Sequence, residues 1–235
     1  MVDQTHLAEL TEATHRLVRT VDGMAEAAYA EPSLLPDWTR AHVVAHLALN
    51  AEGLAAALRG LVEGEPAPMY TSQAARDSDI AELGSAEPEA LRSRLLGGVT
   101  DFADVVVAVP DEAWGTEIER TPGGPTFKAG AIPGMRHREV EIHHADLGLG
   151  YTHRDWPPAF AVRLIEAMAK RDRTRPFSVH AADLDRTWHL GQEGSTQRGP
   201  TVTGAAADLG WWLTGRGGGD GLASDDGAVP SIEAW

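Results

Sequence analysis

Residues 134–151 read GMRHREVEIHHADLGLGY, and the placement of their ionisable groups decides how the chain folds. The pattern predicts a helix from about residue 130 to 149, closed by Gly148 and Gly150. On a helix that advances about 100° per residue, with Glu139 at zero, His143 falls near ~40° and Asp146 near ~−20°. Met135, Val140, Ile142 and Leu147 flank this sector on both sides. Glu139, His143 and Asp146 therefore point toward the face that must be buried. His137, Glu141 and His144 fall on the other side, where water is expected to satisfy them. Arg136 lies near the inner sector at the helix start, from which it is expected to reach a cavity mouth.

A second segment, WTRAHVVAHLALNAEGLAAALRGLVE over residues 38–63, repeats the arrangement. With His46 at zero, Val43 lies near ~60° and Leu49 near ~−60°, and Leu54 and Leu61 continue the stripe. His46 is centred on a buried face, with His42 one turn before it and Asn50 one turn after. Buried polar groups are costly unless hydrogen-bonded, paired or metal-bound. A single inward histidine is more often a core residue than a ligand. Two helices that both direct imidazole and carboxylate inward are explained economically by one metal ion held by His46, Glu139 and His143. His42 with His46 makes an H-x-x-x-H pair but lacks the following glutamate of a zinc protease. Glu12 with His15 and Glu141 with His144 match di-iron spacing, but the further glutamates of such centres are missing.

Working outward, residues 3–30 and 88–109 add two more helical stretches, the first ending before Pro32 and the second at Pro110. Residues 64–86 are mixed, broken by Pro66, Pro68 and Gly84, and a loop carries Pro122-Gly123-Gly124-Pro125. Four helices with one or two long connections predict a bundle. After Gly150 the pattern changes. Pro157-Pro158 opens a further helix. Residues 177–182 and 186–190 alternate like two strands about a tight turn at Asp183–Asp185. Residues 201–214 look helical, glycines follow at 217–219, and 229–235 is a candidate edge strand. The expectation is an α+β chain of two domains, a four-helix bundle over 1–152 and a small α+β domain over 153–235.

Composition narrows the function. The chain has 235 residues, 35 acidic against 20 basic, for a net charge of −15. That balance argues against nucleic acid or an anionic membrane as partner. No signal-like start is read at the N-terminus, so a cytoplasmic location is expected. There is no cysteine, which removes thiolate metal sites and cysteine nucleophiles and leaves His/Asp/Glu sites open.

The segments LPDWTRAHVVAHLALNA (35–51), REVEIHHADLGLGYTHRDWP (138–157), DLDRTWHLG (183–191) and GAAADLGWWLTGR (204–216) together resemble the mycothiol-dependent maleylpyruvate isomerase family. The resemblance implies a DinB-like metal-binding bundle followed by a small α+β domain. It implies Zn2+ on His46, Glu139 and His143, and mycothiol as thiol cosubstrate, with Arg216 implicated in activity. Asp146 would orient a ligand. The implied reaction converts maleylpyruvate to fumarylpyruvate, in gentisate degradation, by thiolate addition, bond rotation and elimination. Arg216, together with Arg136 or the zinc, would bind a carboxylate of the small dicarboxylate substrate. A monomer is expected. Two alternatives use the same residues: a zinc-dependent mycothiol S-transferase acting on another electrophile, or a non-enzymatic metal- or thiol-binding stress protein.

Overall fold

Ala48 on the second helix and Gly98 on the fourth lie where two backbones meet. A Cβ at Gly98 would sit 3.1 Å from the Ala48 carbonyl and 3.5 Å from the Ala51 Cβ. This close approach seats the central pair of a bundle in a computed structural model that describes residues 3–171, 175–191 and 199–233. The helices are α1 (Gln4–Asp22), α2 (Arg40–Glu63), α3 (Gln73–Gly84), α4 (Pro88–Ala108) and α5 (Ile132–Asp146). The chain packs as two compact units, Met1–Tyr151 and Thr152–Trp235.

In the first unit α2 packs most extensively on α4, and α5 joins α1 to α2. Leu47, Leu54, Leu58, Leu91, Leu95 and Leu17 are fully buried between them, and each contributes roughly 1.5–3 kcal/mol of apolar burial. Helix α2 is long and apolar enough to cross a membrane by composition, yet most of it is buried in the bundle, as in a core helix.

Local chemistry sets the helix ends. Asp3 caps α1 through Thr5 N, Thr39 and His42 form a reciprocal capping box on α2, and Pro88 opens α4. The first helix is shorter than its sequence pattern: it stops at Asp22, and residues 26–30 form a separate 3-10 turn. The mixed stretch 64–86 holds α3, whose start is capped by Ser72 accepting from Ala75 N at 3.0 Å. The proline-glycine loop before α5 is a hairpin, β1 (Glu117–Glu119) antiparallel to β2 (Thr126–Lys128). The strands have three residues each, too few to impose an alternating pattern.

The second unit has α6 (Pro158–Ala169), β3 (Phe177–Ala181), β4 (Arg186–Leu190), β5 (Thr201–Gly204), α7 (Ala206–Leu213) and β6 (Ala223–Ser224). Its sheet order is β4-β3-β5-β6, with β3 and β5 parallel and the other pairs antiparallel. Two expectations are corrected here. Residues 201–204 are a strand rather than the start of a helix, because Thr201, Val202 and Thr203 suit a pleated surface and Val202 is buried beside Val179. The edge strand is β6, not 229–235: residues 229–233 carry no strand, and 234–235 lie outside the described residues. Pro230 cannot donate to a ladder. Helix α7 has no side-chain cap at Ala205, but Asp183, from the β3–β4 turn, accepts from Ala206 N at 2.9 Å.

The closeness of α2 to α4 should make Gly98 intolerant of bulk. Gly98→Val is expected to destabilise the first unit by about 1–3 kcal/mol, read as a lower urea midpoint with an unchanged slope.

Candidate metal centre

Two helices deliver the centre. Asp146 ends α5, and its carbonyl accepts from Leu34 N at 2.8 Å, while Arg40 Nε donates to the Leu147 carbonyl at 2.8 Å. The α1–α2 connection is thereby fastened across the end of α5, which sets His46 of α2 opposite Glu139 and His143.

His46 Nε2 lies 2.8 Å from Glu139 Oε2, and His143 Nε2 lies 3.2 Å from the same oxygen. One potential ligand atom from each residue falls within 4.8 Å of the others. The imidazoles meet edge to face at 4.6 Å, and Trp38 covers His46 at 5.7 Å. Both histidines are buried, and Glu139 is half-buried. The structure thus brings together the three residues read from the sequence.

Two of the three groups, His46 and Glu139, are held in the form a cation takes, while the carboxylates around His143 favour a positive charge at that ring. Burial pushes His46 down to about 4, so it is neutral at physiological pH. Burial works against the Glu139 carboxylate, but hydrogen bonds from His143 and His46 outweigh it and hold the group well below the usual range. His143 is opposed by burial and raised by Asp146 and Glu139. His143 Nδ1 is 2.8 Å from Asp146 Oδ2. A carboxylate on the far nitrogen of a histidine fixes ring and tautomer and leaves the other nitrogen for a metal. Asp146 is fully buried and has the positioning geometry the sequence suggested.

Other residues fall elsewhere. His42 belongs to the α2 cap, with Nδ1 2.7 Å from Thr39 Oγ1. The expectation that His137, Glu141 and His144 face water is corrected: all three are buried against α1. Arg16 pairs with Glu141 at 2.8 Å, His6 with His137 at 3.1 Å, and Thr20 with His144 at 2.8 Å. Tyr151 donates to Glu141 and stacks on His144. The pattern misled because α5 is packed on both flanks, so its polar side meets α1. His15 and Glu12 do not join these pairs among the described residues.

Arg136 lies at the inner wall of a cavity between α1 and α4 and is almost wholly buried there. It is 1% exposed, and its NH1 donates to the Leu47 carbonyl at 2.9 Å and to Asn50 Oδ1 at 2.8 Å. Burial pulls its pKa to about 10, with Glu139 acting in the opposite direction. Arg76 was missed altogether. It stands on α3, and its NH2 lies 3.2 Å from His46 Nδ1. The available signal was Ser72 as a cap ahead of QAARDSDIAEL. Arg216 lies in the second unit, where NH1 donates to the Thr214 carbonyl at 3.3 Å and the guanidinium sits 5.7 Å from the Trp211 ring.

Residues 10–148 match the family described as the mycothiol maleylpyruvate isomerase N-terminal domain. The chain belongs to this family. Two crystal structures of the mycothiol-dependent maleylpyruvate isomerase, one of them a histidine-to-alanine mutant, are similar to it along the whole chain. Each is 28% identical and covers 99% of this chain and 96% of its own, with TM-scores of 0.88 for the mutant and 0.87 for the other. Among curated proteins none matches significantly.

The Asp146 contact leads to a measurable consequence. Asp146→Asn should weaken binding of an added divalent ion by about 10–100-fold, measured by competition with a chromophoric chelator.

Proposed function

We propose that this family member is a mycothiol-dependent isomerase that converts maleylpyruvate to fumarylpyruvate, with Zn2+ on His46, Glu139 and His143. The observation that carries the reading is the convergence of those three side chains, with Asp146 behind His143. It occurs in a chain whose fold follows that of the isomerase over 99% of its length.

The donor set suits zinc. Two imidazoles and one carboxylate are the ligands of catalytic zinc sites that keep a position open. When bound there, the ion would hold a thiol as thiolate near neutral pH. Glu139 supplies the negative charge of the site, and His46 contributes a neutral ring. Asp146 accepts from His143 Nδ1–H and so keeps Nε2 directed at the same point. Trp38 and the apolar walls of α2 exclude water from the rings.

The thiol itself comes from mycothiol, because the chain has no cysteine. Its sulfur adds to one carbon of the cis double bond, and the electron pair passes to the conjugated carbonyl. The resulting single bond rotates. Return of the pair expels the thiolate and leaves the trans alkene, so atoms and electrons balance with no oxidant. Arg216 is assigned to a carboxylate of the dianionic substrate, a role for which a guanidinium fork is suited.

Purified wild type should contain about one zinc per chain by mass spectrometry, and His46→Ala, Glu139→Gln and His143→Ala should each lose it. Arg216→Ala should retain zinc and lose at least about tenfold in turnover of maleylpyruvate with mycothiol. Metal-free wild type purified without chelators would sink the proposal. Zinc-loaded wild type without isomerase activity would leave a metal- or thiol-binding protein, or a transferase, in its place.

A further inference from the structure

α1 and α4 meet far less closely than α2 and α4 do, and a cavity of about 530 Å3 lies between them. Pockets that hold small molecules run from about 300 to 1,000 Å3. The sequence opens this space: α1 places Thr11 and Thr14 in the lining, where a bundle seam would ordinarily carry leucine. Leu10, Val99 and Val106 line it as buried side chains. Leu96 and Val107 also line it and are 55% and 81% exposed, so apolar surface continues from the cavity to solvent. Such continuous surface commonly marks a binding groove. The threonine hydroxyls are engaged on their own helices, Thr11 Oγ1 with the Leu7 carbonyl at 3.0 Å and Thr100 Oγ1 with the Leu96 carbonyl at 2.8 Å.

One charged group meets this apolar space from inside the bundle. Arg136 lines the cavity and is almost wholly buried. Its NH1 is taken by two neutral acceptors, the Leu47 carbonyl and Asn50. Its NH2 is buried with no hydrogen-bond partner. Glu139 acts on the guanidinium through its charge, but the Glu139 oxygen is addressed by His46 and His143. A buried cation with an unused donor is costly. A carboxylate is the partner that a guanidinium takes best. The other ionisable groups of the lining, His15, Arg19 and Asp104, are exposed, where water solvates them.

We propose that the cavity between α1 and α4 is a ligand site separate from the metal centre, taking a hydrocarbon-tailed monocarboxylate. Its carboxylate meets Arg136 NH2, and its chain lies along Leu10, Val99 and Val106. A dicarboxylate does not suit the site, because its second charge would lie against an apolar wall. A neutral lipid leaves the guanidinium donor unused. The inference depends on neither the metal nor the isomerase reading.

The test is calorimetric titration of decanoate into the full-length protein. Wild type should bind decanoate, and octanoate, shorter by two methylenes, about tenfold more weakly. Decanol, which lacks the charge, should bind at least about tenfold more weakly than decanoate. Thr14→Phe fills the cavity without touching the Arg136 bonds, and should weaken decanoate at least about tenfold. Arg136→Gln should lower decanoate to the affinity of decanol while leaving decanol unchanged, a difference that a misfolded variant would not show. His46→Ala should bind decanoate as wild type does. No binding to wild type, equal affinity for decanol and decanoate, or wild-type affinity in Thr14→Phe overturns the inference. Loss of binding in His46→Ala puts the carboxylate at the metal centre and overturns it too. So does a dimer in sedimentation that Val107→Asp dissociates, since a second copy then covers the groove.

Discussion

A carboxylate inside a helical bundle must be surrounded by donors or it will not remain ionised, and Glu139 imposes that condition on its neighbours. His46 and His143 both address the same oxygen of Glu139, and Asp146 must then stand behind His143. Arg136 brings a buried positive charge nearby, fastened to the Leu47 carbonyl and Asn50. These groups bind α2 to α5 through polar contacts, whereas α2 meets α4 through leucine and alanine. Removing one member leaves an uncompensated buried group, which is why such clusters are all-or-none in stability.

Much of this was legible in the residues. The periods of α2 and α5 placed His46, Glu139 and His143 on inward faces, and the α+β class followed from the change of pattern after Gly150. What a wheel cannot supply is the number of faces a helix buries. Glu141, His137 and His144 read as solvated only while α5 has a single packed side; Arg16, Thr20 and His6 of a distant helix remove that freedom. Arg76 was hidden because α3 lies among prolines and carries one buried apolar residue, Ile80. Its contact to His46 is a product of tertiary packing.

The second unit shows the same limit on a smaller scale. β5 has four residues and runs directly into the apolar AAADLGWWL, so helical periodicity spreads over it in a sequence window. The start of α7 is capped by Asp183, more than twenty residues upstream. No local rule finds that cap. The β3–β4 turn, by contrast, was visible, and Asp185 there adopts the positive φ of 47° that aspartate tolerates better than most residues.

The two-sided packing of α5 also bears on how such a chain can vary through descent. A helix with one apolar stripe can drift freely on its exposed side. α5 has no such side along His137–His144, since one flank answers to α2 and the other to Arg16, Thr20 and His6 on α1. A change at Glu141 takes away the acceptor that Arg16 and Tyr151 share, so these positions are physically coupled. The first and last helices of the bundle, more than a hundred residues apart in the chain, are therefore coupled through their side chains.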